Sequence, residues 1–358
     1  MRCLTTCEPP MLVKQKDADL TQLNSLGLTS HARFLLKASC LDEYLAARDF
    51  AQHHRLPLFP LGGGSNVILP SRLNAMVLQC LPTPVQWLPQ EGQTQRLIVP
   101  AGYSWHQLVL ETCARGLFGL ENLALIPGHC GAAPVQNIGA YGAELAQTLE
   151  AVQVVWLQTG QQDWIDAKDC QLSYRDSRFK RDWKGHVLIT ALQLRLKTQA
   201  EVNLDYADLA QRLARSQADL GTAFTQRPLP EQVAQVVMQI RREKLPDPAL
   251  LGNVGSYFKN PRVSQAQAQQ LKQDWPDLPV YPDGDQVKLA AGWLIDQCGF
   301  KGQRLGAFAV HDQQALVLTH LGGGQREGLL DLEQQIQAEV WRRFAVQLAR
   351  EPEWVEAG

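Results

Sequence analysis

The chain has 358 residues, too many for one ordinary core, so two or three domains are expected. Hydrophobic residues make up 45% and charged residues 20%. The formal charge is −2, which leaves no broad basic field to recruit nucleic acid or an anionic membrane, so an anionic ligand must be held by local groups. No apolar run is long enough to span a bilayer, and Met1 to Leu12 has no apolar signal region, which points to a cytoplasmic protein. The eight cysteines, at 3, 7, 40, 80, 113, 130, 170 and 298, show no Cys-x-x-Cys spacing. Neither a zinc site nor a disulfide framework is expected, and the thiols read as reduced and mostly buried.

In chain order, residues 1–16 read as a loose leader. Leu56 to Leu61 and Val67 to Leu69 read as strands around Gly62-Gly63-Gly64-Ser65-Asn66. Gln95 to Val99 is a further strand. Ser104 can cap a helix that puts Trp105, Leu108, Val109 and Thr112 on one face. Ala151 to Leu157 and His186 to Leu196 read as strands. Pro230 to Lys244 carries Val233, Val236, Val237 and Ile240 at helical spacing and stops at Leu245-Pro246-Asp247-Pro248. Lys288 to Cys298 reads as a helix and Ala315 to Thr319 as a strand. Leu329, Leu332, Ile336, Val340 and Phe344 stripe a long helix. Gly322-Gly323-Gly324 reads as a surface turn.

Two glycine-rich segments carry the chemistry. Gly62, Gly63 and Gly64 present consecutive backbone N–H groups to an anion, and Ser65 and Asn66 add donors; the competing reading is a tight hairpin turn. Ile126 to Gly142 holds four glycines and three alanines in seventeen residues, too small a set to fill a core but suited to close approach by a large ligand. Gln136 and Asn137 can pair with the edge of a heterocycle.

With Pro57–Leu69 and Glu121–Glu144 in view, the chain resembles the UDP-N-acetylenolpyruvoylglucosamine reductase (MurB) family of the vanillyl-alcohol-oxidase-like flavoproteins. The resemblance continues through Ser173-Tyr174-Arg175-Asp176-Ser177, Lys244 to Pro248, Gly255 to Pro261, Ala290 to Asp296 and His311 to Ala315. It implies an α+β fold: a two-part FAD-binding domain followed by a smaller α+β substrate-binding domain. The expected boundaries are 17–82 and 83–243 for the two FAD-binding subdomains, 244–347 for the substrate domain and 348–358 for a segment returning to the active site.

The resemblance further implies non-covalent FAD held by Gly62, Gly63, Gly64, Ser65 and Asn66, by Pro127, Gly128, Gly131, Ala132, Gln136 and Asn137, and by Gly139, Ala140, Tyr141 and Gly142. It implies NADPH as hydride donor and UDP-N-acetylglucosamine enolpyruvate as substrate. That substrate would meet Tyr174, Tyr206, Arg241, Lys244, Asn260, Tyr281, Lys288 and Gln314. The resemblance also implies that hydride would pass from flavin N5 to the methylene carbon, that Ser256 would supply the proton, and that Arg175 with Glu351 would stabilise the enolate. Glu353 is a rival for Glu351, because the local Glu-Pro-Glu admits an alignment two residues later. A monomer with no metal is expected. His129-Cys130 departs from the small or apolar pair usual in the second loop, and Leu23 to Gly27 is a loose version of the family's entry to the flavin domain. Two other readings stay open: an alcohol or sugar oxidase of the same fold, and a catalytically silent nucleotide-binding regulator.

Overall fold

The computed structural model describes residues 14–199, 202–204, 206–219 and 228–358. Most of the expected leader, with Cys3 and Cys7, lies outside them, as does Asp205.

The first unit contains β1 (Gln15–Asp19), β2 (His31–Ala38), α1 (Leu41–His53), β3 (Leu58–Pro60), β4 (Val67–Ile68) and β5 (Arg72–Cys80). Its sheet runs β1-β2-β5-β3, with β2 and β3 parallel to β5. Strand β5 is buried on both faces, and alternation sends its side chains to two cores. Ala75 and Val77 pack with Ala18, Leu20 and Leu61; Met76 and Leu78 pack with Tyr44, Ala47 and Ala51 of α1.

The second unit contains β6 (Gln86–Trp87), β7 (Thr94–Pro100), α2 (Trp105–Ala114), β8 (Gly139–Ala140), β9 (Ala143–Glu144), β10 (Leu149–Trp156), β11 (Gln162–Asp166), β12 (Val187–Lys197), α3 (Ala207–Asp219) and α4 (Pro230–Lys244). Its antiparallel sheet runs β11-β10-β12-β7-β6. Ser104 caps α2 by accepting from Gln107 N, and Trp105, Leu108, Val109 and Thr112 are buried as their spacing predicts. The apolar face of α4 joins the same core.

The third unit contains β13 (Gly252–Ser256), β14 (Arg262–Ser264), α5 (Gln265–Asp274), β15 (Val280–Asp283), β16 (Gln286–Leu289), α6 (Ala291–Gln297), β17 (Arg304–Leu305), β18 (Phe308–Val310), β19 (Val317–His320), α7 (Arg326–Phe344) and β20 (Glu353–Trp354). One sheet runs β13-β19-β18-β17 and a smaller one β14-β16-β15. The stripe on α7 packs into this core, which also takes in Leu26, Leu28 and Ile68 from the first unit.

Two expectations are corrected. Lys288 is not helical: it lies on β16, paired on both sides, and the helix starts at Ala291, whose N–H is capped by Asn260 Oδ1 at 3.0 Å. The Gly62–Asn66 turn is not a hairpin. Strand β3 pairs with β5, whereas β4 leaves that sheet and pairs in parallel with β20.

Candidate active site

The two glycine segments meet backbone to backbone. A Cβ on Gly63 would stand 2.9 Å from Gly128 Cα, and one on Gly64 would stand 1.9 Å from Leu23 O at a φ of +61°. Glycine is therefore required at both positions. Ser65 Oγ donates to Pro127 O at 3.2 Å and Asn66 Nδ2 to Gln136 Oε1 at 2.8 Å, locking the loops together. Asn24 buttresses the first loop from below: its amide reaches Leu20 O and Leu28 O, and Ser25 N donates to Gly64 O.

Asn137 does not offer a heterocycle the side-chain edge expected of it. It is fully buried at a φ of +45°. Its Nδ2 donates to Glu144 and to Ser173 O, while its Oδ1 accepts from Ala146 N. The amide is spent on holding the loop to the segment that carries Tyr174 and Arg175. Cys130 is likewise a core residue, and burial pushes its thiol upward, so it stays neutral. His129 borders Gly62, and its buried Nδ1 has no partner among the described residues.

Arg175, Glu351 and Ser256 come from three distant parts of the chain and converge. Arg175, at a φ of +54°, donates through Nη2 to Gly139 O at 2.9 Å. Its Nε lies 2.8 Å from Glu351 Oε1; both side chains are largely buried. The approach is an ion pair without hydrogen-bond alignment, since that Nε has no in-line acceptor. Glu351 N donates to Tyr257 O, one residue beyond Ser256. Ser256 itself ends β13 at an irregular register, preceded by Gly255 at a φ of +71°. Among the described residues the Ser256 hydroxyl makes no hydrogen bond. The rival Glu353 points elsewhere, to a half-exposed pair with Lys184.

Burial pushes the Glu351 carboxyl above its usual range, while Arg175, then Lys180 and Lys259, pull it back. The sequence reading missed those two lysines. Lys180 Nζ holds Glu351 O and Lys259 Nζ holds Arg175 O, each at 3.4 Å. Lys259 stands inside the Gly255–Pro261 segment, so position alone marks it; nothing in the sequence marks Lys180.

The remaining expected residues have these surroundings. Lys288 Nζ lies 4.3 Å over the Tyr174 ring and 3.3 Å from Asp283, and Tyr281 is its cross-strand partner. Asn260 N donates to Tyr174 OH at 3.4 Å. The carboxamide oxygens of Asn260 and Gln314 accept from the backbone N–H groups of Ala291 and Leu316, and among the described residues neither NH2 has an internal partner. On the other side, the Tyr141 and Tyr206 rings meet edge to face at 5.0 Å. Arg241 is buried with an unpartnered Nε and is drawn toward Tyr141, and burial lowers its guanidinium. Lys244 pairs with Asp208 at 2.6 Å. Gln314 packs against Gly292. Among the described residues no cluster suited to a metal ion exists, and no helix is long and apolar enough to cross a membrane.

Residues 32–165 match the family model for an FAD binding domain, and residues 247–355 the model for the C-terminal domain of UDP-N-acetylenolpyruvoylglucosamine reductase. The protein of that name from Pseudomonas fluorescens is 42% identical over 339 residues, covering 94% of this chain and 98% of its own. The chain belongs to the UDP-N-acetylenolpyruvoylglucosamine reductase family. Another member, from Neisseria gonorrhoeae, is 42% identical over 338 residues, covering 94% of this chain and 96% of its own. The crystal structure of MurB from Thermus caldophilus, at 22% identity, shares the fold with a TM-score of 0.64 over 96% of this chain and 99% of that one. The α+β architecture, an FAD-binding domain followed by a smaller α+β domain, is thus that of the reductase family.

Proposed function

We propose that this chain reduces UDP-N-acetylglucosamine enolpyruvate to UDP-N-acetylmuramate at the expense of NADPH, through a non-covalently held FAD. The observation that carries the reading is the buried Arg175–Glu351 pair, closed by a backbone bond from Glu351 to Tyr257, the residue after Ser256. The residues fit the cofactor: Gly63 and Gly64 admit no side chain, so the two loops pack backbone to backbone with their small residues available to a flavin, and the neighbouring Cys130 thiol is too buried and too neutral to become a linkage. We further assign 17–82 and 83–243 to the flavin and 244–347 to the substrate.

FAD, when bound, supplies the hydride for the methylene carbon. Everything else falls to the chain. Hydride addition pushes a second negative charge onto a substrate already carrying a carboxylate. Arg175 offers a fixed, permanently charged fork to that charge. Glu351, raised by burial, can stand protonated and donate, and it also holds Arg175 in place. Ser256 supplies the proton to the neighbouring carbon from a hydroxyl that no internal acceptor has claimed. Arg241 and Lys244 take the two phosphates, and the NH2 groups of Asn260 and Gln314 meet acceptors on the nucleotide sugar.

The deciding experiment is anaerobic. NADPH should bleach the yellow holoenzyme, and the enolpyruvyl substrate should restore its absorbance. Oxygen uptake with an alcohol, or a flavin that NADPH leaves oxidised, would defeat the proposal.

Two variants extend the test. Lys244→Ala should raise both Michaelis constants with little change in kcat, because phosphate binding persists from ground state to transition state. Unaltered constants for both ligands would remove Lys244 from the site. Gly63→Ala should force the loops apart at a backbone contact of 2.9 Å. Overpacking of this kind costs about 1–3 kcal/mol, so FAD affinity should fall by roughly ten- to a hundred-fold. Equilibrium dialysis against free FAD reads it directly; wild-type affinity would take the loop contact out of the cofactor site.

A further inference from the structure

The cation assigned to the diphosphate is already paired inside the protein. Lys244 Nζ lies 2.6 Å from Asp208 Oδ2, and the other carboxylate oxygen meets Arg212 Nε at 2.9 Å. Arg212 Nη1 in turn lies 2.7 Å from Glu243, so the four residues bridge the start of α3 to the last turn of α4. Asp208 follows Tyr206 by two residues, and Lys244 stands 5.9 Å from the Tyr206 ring. The Lys244 and Asp208 side chains are 40% and 32% exposed, so water and salt reach the pair. Ion pairs of this exposure are weak and exchange readily.

We propose that Asp208 is an internal substitute for the diphosphate: a displaceable counter-ion that holds Lys244 until a nucleotide's phosphates take its place. This rests on Lys244 being a phosphate ligand. A lysine ammonium cannot keep both partners cheaply, because carboxylate and diphosphate would then face one another as like charges. Arg212 makes displacement possible, since it retains Asp208 after Lys244 turns away and leaves no carboxylate stranded. Asp208 therefore sets nucleotide affinity below what Lys244 alone would give, and it does so for every phosphate ligand that uses this cation. The nearness of Tyr206 ties the same exchange to the residues around the nucleotide.

The test uses holoenzyme and uridine 5′-diphosphate in calorimetric titration. Asp208→Asn keeps the shape and the ability to serve the first turn of α3. It should tighten UDP binding by about two- to five-fold, the range one exposed ion pair spans. It should also steepen the salt dependence of the affinity, because salt no longer weakens an internal competitor as well. In a Lys244→Met background the same change should leave the affinity unaltered. Weaker binding by Asp208→Asn would make Asp208 a support for Lys244 and overturn the proposal, as would equal binding. If Lys244→Met alone leaves UDP affinity unchanged, the phosphate role of Lys244 falls first and the competition with it.

Discussion

Replacing Ser256 by alanine is expected to separate the two half-reactions. Its proton is needed only once hydride has reached the substrate, so reduction by NADPH should run at the wild-type rate. Return of the flavin absorbance on adding the enolpyruvyl substrate should slow by about 10²–10⁴-fold, the usual loss when a positioned acid is removed. The surroundings favour a large value. Ser256 adjoins Tyr257, whose carbonyl accepts from Glu351 N, and among the described residues no side chain donates to or accepts from the Ser256 hydroxyl. Ser256→Cys should recover part of the rate, since a thiol also carries a transferable proton. Rapid mixing at the flavin band measures each half. An alanine variant that reoxidises like wild type would make Ser256 a turn residue only.

The Arg175–Glu351 pair gives the second large effect, and there stability and activity part company. Arg175→Met leaves a buried carboxylate facing only Lys180 and Lys259, which hold backbone carbonyls rather than the carboxylate itself. Breaking one side of a buried pair costs about 3–5 kcal/mol, and the substrate half-reaction loses its fixed cation. The cost should shrink in acid. Glu351 has a folded value raised above its ordinary 4.5, so its favourable contribution is complete below that value and is lost as pH rises through the folded one. Protonation therefore relieves the methionine variant as pH falls toward 4.5. Glu351→Gln removes the titrating group but leaves the buried Arg175 guanidinium without its anion, so at neutral pH it should melt below wild type and turn over about 10²–10³-fold more slowly. The double variant should regain stability without regaining activity. Melting curves across pH that run parallel for wild type and Glu351→Gln would show that Glu351 does not titrate in this window.

Local signals carried much of this architecture. Pro230–Lys244 is a helix because four apolar residues recur on one face between a proline that can begin a helix and prolines that end it. Ser104 and Trp105 announce α2 in the same way. The two glycine segments were legible because smallness over seventeen residues has few structural uses. What escaped depends on pairing between distant residues. A two-residue strand such as Val67–Ile68 has no period to read, and its partner Glu353–Trp354 lies near the far end of the described chain. Lys288 sits in a stretch whose apolar spacing suits a helix, but two neighbouring strands claim it. Asn137 has the chemistry of a ligand contact and is used as an internal staple. Resemblance named Arg175 and favoured Glu351 over Glu353; in the fold the first carboxylate is buried against Arg175 and the second pairs with exposed Lys184, a difference that no local sequence signal carries.

The parallel pairing of Glu353–Trp354 with Val67–Ile68 also fixes an order of events during biosynthesis. The ribosome completes both glycine loops, Arg175 and Ser256 long before it reaches Glu351. Until then the edge of Val67–Ile68 has no partner, the core around Ala18 and Leu20 lacks Val355, and Asn74 N–H waits for Ala357 O. Contacts so far apart in sequence form late and leave an open edge exposed meanwhile. A message terminated prematurely just after α7 would therefore yield a polypeptide with a nearly finished flavin cradle, an unsealed strand edge and no glutamate beside Arg175. Such a product is expected to enter aggregation or proteolysis rather than persist as an idle flavoprotein that drains FAD from the cell.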